Sequence, residues 1–106
     1  MRGKRLSHAR RALPVIFRTW RKEGDVIALF PTLPGTYDPA TCESFQHVGQ
    51  HGAASLAIVK DTRPATRAEA AELRRELEAA PYHYRLKAYR RESAAMRRER
   101  RAQVTA

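Results

Sequence analysis

A single cysteine, five glycines and an acid-free start of 22 residues narrow the field before any motif is sought. Cys42 cannot form a bridge within the chain, which argues against a disulfide-stapled scaffold and for a reducing, cytoplasmic setting. No apolar run approaches the roughly 20 residues of a membrane span, so no membrane partner is expected. The start of the chain has no apolar core of the secretory kind, so export is not expected, although its arginines loosely resemble a transit peptide. A phosphate-cradling P-loop, paired carboxylates and a Ser-His-Asp order are all absent, so neither a cofactor nor a catalytic residue is assigned.

What is present is positive charge, unevenly placed. The net charge is +10 over 106 residues, a length that fits one domain. Residues 1–22 carry +8, residues 23–90 carry −1, and residues 91–106 carry +3. The body is balanced and the excess lies at the ends, Arg10 and Arg11 included. Basic ends are footprints for phosphate backbones, because each neutralised phosphate releases a counterion. A GC-rich genome also enriches arginine, and a charged tail also keeps a protein soluble.

Residues 1–13 read as a basic arm, residues 14–91 as a single α+β domain, and residues 92–106 as a basic, helical extension without an apolar stripe. Val15 to Trp20 and Asp25 to Phe30 are apolar, breaker-free runs, joined by a hairpin loop in which Gly24 supplies a positive φ. Pro31, Pro34 and Gly35 predict a surface loop over 31–40. Thr41 to Val48 alternates as a strand, and Ser55 to Val59 is ambiguous between strand and helical turn. Thr66-Arg67-Ala68-Glu69 is a capping box, and Ala70, Leu73, Leu77 and Ala80 follow at helical spacing before Pro81. Tyr82 to Arg90 alternates with Tyr82, Tyr84, Leu86 and Ala88 on one face.

These elements predict a small antiparallel sheet of three to four strands with one helix, about 66–80, packed on one face. The other face would stand open to water. It would display His83, Arg85, Lys87 and Tyr89, joined by Arg18 and Trp20 from the first strand. Cations interleaved with aromatics on an open sheet suit phosphates and stacked bases, though any half-exposed strand turns Lys and Arg outward.

The most unusual segment holds His47, Gly49, Gln50, His51 and Gly52. Two histidines four apart could ligate zinc from a helix, with Cys42, Asp61 or His83 as a third ligand, but the glycines disfavour helix and no metal site is assigned. His47 or His51 could act as a general base. Gly49-Gln50-His51-Gly52 could instead cradle phosphate with its amides, and it is similar to the Gly-x-x-Gly loop of the KH RNA-binding module. The plain alternative is a tight connection that needs glycine.

Val15-Ile16-Phe17-Arg18, Val26 to Pro31, Cys42-x-Ser44-Phe45-x-His47-Val48-Gly49-Gln50-His51-Gly52 and Lys60-x-Thr62-x-Pro64-Ala65-Thr66 together resemble small uncharacterised proteins of bacterial, phage and plasmid sequences. The resemblance spans residues 14–91 and implies a bacterial or mobile-element protein, but it carries no activity and no site residue. The leading expectation is a non-enzymatic accessory protein that binds nucleic acid, with RNA and DNA not separated. The alternatives are a protein-interaction module of a host or phage complex, acting through a sheet edge or the 31–40 loop, and a histidine- or metal-dependent enzyme at residues 42–52.

Overall fold

The computed structural model describes residues 11–46 and 50–105. Among these residues there are six strands: β1 (Leu13–Trp20), β2 (Val26–Pro34), β3 (Thr41–Gln46), β4 (Gln50–Ser55), β5 (Thr62–Pro64) and β6 (Leu86–Ala88). Two helices accompany them there, α1 (Arg67–Glu78) and α2 (Ala94–Thr105), and a 3-10 turn covers Leu56–Lys60. The class is α+β as expected, with more strands than the three to four predicted and a second helix.

The strand order is β4-β3-β2-β1-β5, antiparallel throughout, with β6 beside β1 in parallel. β1 is the pivot. Trp20 and Asp25 bond across the β1–β2 hairpin, and Gly24 takes φ +81° to close it. The other edge of β1 is shared: the Phe17 carbonyl accepts from Ala65 after β5, and the Val15 carbonyl accepts from Tyr89 after β6.

The first face of the sheet meets α1. Val15, Phe17, Ala28, Phe30 and Phe45 pack there against Ala70, Leu73 and Leu77, with Leu86 closing the cluster. The capping box forms as read, with Thr66 and Glu69 each accepting from the other's backbone N–H. The helix ends at Glu78, two residues short of the predicted limit.

Beyond α1, the predicted strand over 82–90 shrinks to β6. Tyr82 and His83 donate their amides to the Ala79 carbonyl and Tyr84 donates to Leu77, so this stretch turns against the helix end, and His83 adopts φ +52°. The alternation still holds for packing: Tyr82 and Tyr84 lean on the first-face core and Leu86 is buried in it, whereas Ala88 is exposed.

The 31–40 loop is also shorter than expected. β2 runs on through Pro34, with Pro31 and Thr32 buried and a register shift between Phe30 and Pro34. A bulge is where a strand tolerates residues that cannot donate to the ladder. Gly35 then passes so close to β3 that a Cβ would lie 2.6 Å from the Cys42 carbonyl oxygen, which only glycine allows.

The second face is not open to water. Ile16, Ile27, Leu29 and Cys42 form a buried cluster there, against which Trp20, Ala54, Leu56 and Ile58 pack. The 3-10 turn, the last part of the segment predicted as ambiguous, supplies part of the cover. α2 supplies more, and it is docked on the body although its sequence shows no apolar stripe. Arg100 is 1% exposed and donates to the carbonyls of Pro31 (2.6 Å) and Pro39 (3.1 Å), while Gln103 donates to Thr32. Met96 is buried in the same helix.

Candidate functional site

Between α1 and the shared edge of β1 lies a cleft of about 590 Å³. Phe17, Ala65, Ala70 and Ala88 give it an apolar floor, and Arg67, Arg74, Arg75 and Arg90 reach it from both walls. Its one acid, Glu78, pairs with Arg74 at 3.1 Å, and Arg74 also donates to the Leu86 carbonyl. Arg67, Arg75 and Arg90 form no ion pair among the described residues. Tyr89 lines the same cleft, is 38% exposed, and lies under the Lys87 ammonium at 5.7 Å. Residues 81–91 contain four basic residues and no acid, so the charge continues along this segment. An apolar floor with cationic walls and an exposed ring can hold a phosphodiester backbone and offer one stacking surface.

Of the residues singled out in the sequence, Tyr89 lines this cleft and Lys87 lies over its ring. His83, Arg85, Lys87 and Tyr89 are exposed along the chain into and past β6, and Arg11, before β1, is exposed as well. Arg10 lies outside the described residues. Arg18 and Trp20 do not join them. Both point to the second face, where Trp20 is half-buried in the apolar cluster. Arg18 Nε donates to Thr62 Oγ1 (2.9 Å), and its Nη2 donates to the carbonyls of Thr62 (2.9 Å) and Val59 (3.1 Å). Burial, then repulsion from Arg21 and Arg90, lowers its pKa from the ordinary arginine value. The expected single face of His83, Arg85, Lys87, Tyr89, Arg18 and Trp20 is therefore divided, with Arg18 and Trp20 on the second face.

Arg67, Arg75 and Arg90 were not singled out from the sequence. The two on α1 read there as the solvated face of an ordinary amphipathic helix. Their convergence with Arg90 depends on β6 returning to β1, a pairing that no local pattern signals.

The glycine–histidine segment is a hairpin. Gln46 pairs with Gln50, Phe45 with His51 and Ser44 with Gly52 across β3 and β4. Gln50, His51 and Gly52 are thus strand residues, not a phosphate-cradling or KH-type loop, because their backbone belongs to the β3–β4 ladder. His47, Val48 and Gly49 lie outside the described residues. His51 is exposed, with its ring 4.7 Å from Phe45 and 5.2 Å from Tyr82. It belongs to the first face and Cys42 to the second, so the sheet itself separates these two proposed ligands. Among the described residues no three of His, Cys, Asp and Glu come together as a metal site. Cys42 is fully buried, and burial pushes its thiol up to about 11 despite the nearby Arg100, so it is held as an unreactive thiol.

Comparison with protein-family models, with curated proteins and with solved structures finds no match to this chain.

Proposed function

We propose that this chain is a cytoplasmic nucleic-acid-binding accessory protein of bacterial or mobile-element origin that acts without catalysis. The observation that carries the reading is the meeting of Arg67, Arg75 and Arg90 in one apolar-floored cleft, none of them in an ion pair among the described residues. Three uncompensated guanidiniums on one concave surface repel one another, and a chain of phosphates relieves that repulsion. Lys87, Tyr89 and Arg85 extend the track along residues 85–89, and Arg11 adds charge ahead of β1. The buried, unpaired Cys42 supports a reducing compartment. DNA and RNA share the phosphate chemistry on which the proposal rests.

The test is a salt titration of fluorescence anisotropy with single- and double-stranded DNA and RNA. Affinity should fall steeply with salt, and Arg75→Ala with Arg90→Ala should lower the log–log slope by about two. Salt-independent affinity, or a double variant that binds like the parent, would overturn the reading.

One observation favours a second reading, a protein-interaction module. Residues 44–59 hold no Lys, Arg, Asp or Glu, in a chain that is 30% charged. β4 lies within this run and is an edge strand of the sheet, with no proline and no Lys, Arg, Asp or Glu to blunt its edge. An extended partner segment could add there as a further strand. A His51→Lys variant should then lose a co-purifying partner while keeping nucleic-acid affinity.

A further inference from the structure

A second concavity lies on the opposite side of the Arg90 segment, under the second face of the sheet. It measures about 390 Å³, within the roughly 300–1,000 Å³ typical of small-molecule sites. Its floor is Ile16 and Leu29 from the buried cluster, and Leu56, Val59 and Pro64 form the walls. Its rim is Arg18, Arg90, Arg91 and Glu92.

The charge on that rim does not close on itself. Among the described residues, every hydrogen bond that Arg18 makes ends on a neutral oxygen, two carbonyls and a hydroxyl, so its geometry is fixed while its charge is not matched. Glu92, the one acid present, is committed elsewhere: Arg100 holds it at 2.8 Å and Arg97 approaches it at 3.7 Å. Three guanidiniums thus ring an apolar hollow without a carboxylate of their own. Such a cluster is unfavourable when empty, because like charges gather beside a low-dielectric wall. An anion would match the rim, and an attached apolar group would cover the floor.

We infer that this hollow binds a small amphiphilic anion, its apolar body against Ile16, Leu29, Leu56 and Val59 and its single anionic head between Arg18, Arg90 and Arg91. A mononucleotide meets that description, with its base as the body and its phosphate as the head. So does a medium-chain carboxylate. The inference is testable apart from polyanion binding in the α1 cleft: Arg90 and Pro64 line both sites, but Arg91 and Val59 line the second hollow alone and Arg75 lines the cleft alone.

Trp20 is the sole tryptophan and packs against the same cluster, so its emission reports on the hollow. The full chain is titrated with adenosine monophosphate, with octanoate and with inorganic phosphate, reading Trp20 fluorescence and, in parallel, heat by calorimetry. At least one of the two amphiphiles should bind saturably, and more tightly than phosphate by about ten-fold or more, since phosphate has no body to place on the floor. The amphiphile that binds identifies the source. Arg91→Gln should weaken it by about ten-fold through the lost charge-assisted contact. Val59→Asn, at a position already 45% exposed, should weaken it by about four-fold through lost apolar contact without changing charge. Arg75→Ala should leave it unchanged. If neither amphiphile binds, if inorganic phosphate binds as tightly, or if Arg91→Gln and Val59→Asn both match the parent, the inference is wrong, whatever the polymer titration shows.

Discussion

The two faces of this one sheet are closed by different means. On the first face, α1 lays an apolar stripe of Ala70, Leu73 and Leu77 onto Val15, Phe17, Phe30 and Phe45, the ordinary hydrophobic closure of an α+β layer. On the second face the cover is tied down by guanidiniums. Arg18 fastens the turn before β5 through Val59 and Thr62, and Arg100 fastens α2 through Pro31, Pro39 and Glu92. The difference bears on how an arginine-rich composition is read. Part of that charge is structural, spent on backbone carbonyls inside the fold, and only the remainder is open to a ligand. Arg90 belongs to the remainder and Arg100 does not.

The largest expected break of this comparison is Arg100→Ala. It leaves two bonded carbonyls without their donor and the half-buried Glu92 with only the more distant Arg97, and should cost about 4 kcal/mol in urea unfolding, in the range for one-sided removal of a buried ionic partner. Arg100→Met should recover part of that loss if volume matters as well as charge. Leu77→Ala tests the apolar side. Its side chain is fully buried in the first-face core, and truncation should cost about 3 kcal/mol. Higher salt should leave the Leu77→Ala penalty unchanged. Thr66→Ala, which removes the N-cap of α1, should cost about 1 kcal/mol.

A pH series sharpens the contrast further. The Arg63 ion pair first, then the Thr66 amide, hold the Glu69 carboxyl down at about 2 from its ordinary 4.5. A carboxylate depressed on folding contributes stability in full above 4.5, and that contribution is lost as pH falls toward 2. The melting temperature should therefore drop over that window, and Glu69→Gln should show a shallower drop. The smallest effect concerns chemistry rather than stability. Cys42 should resist a thiol reagent in the native protein at pH 8 and react at once in denaturant; rapid native labelling would contradict its burial and raised pKa.

Local chemistry made some elements legible in the sequence. The capping box of α1 and the Gly24 hairpin are short-range devices whose residues contact one another directly. The inward side of 82–86 was legible from alternation, but the strand was not, because the backbone there answers to the end of α1. Tertiary partners hid the rest. Pro31 sits inside a strand at a register shift, and its carbonyl accepts from Arg100, which lies 69 residues away. α2 shows no apolar stripe because an arginine and a glutamine occupy positions that a leucine would normally take. For the site, the exposure of Lys87 and Tyr89 was legible, whereas the separation of Arg18 and Trp20 from them was not, because it depends on the pairing of β6 with β1.

β1 is the first strand among the described residues, and its two edges are filled from very different sequence distances. One edge finds β2 within a few residues, but the other must await residues 62–64 and then 86–88. A nascent or truncated chain ending before Leu86 therefore carries an unsatisfied apolar edge at Leu13 to Val15, a hazard for misassembly. Closing it joins segments more than seventy positions apart, so docking of β6 carries a larger loop-closure entropy cost than the β1–β2 hairpin.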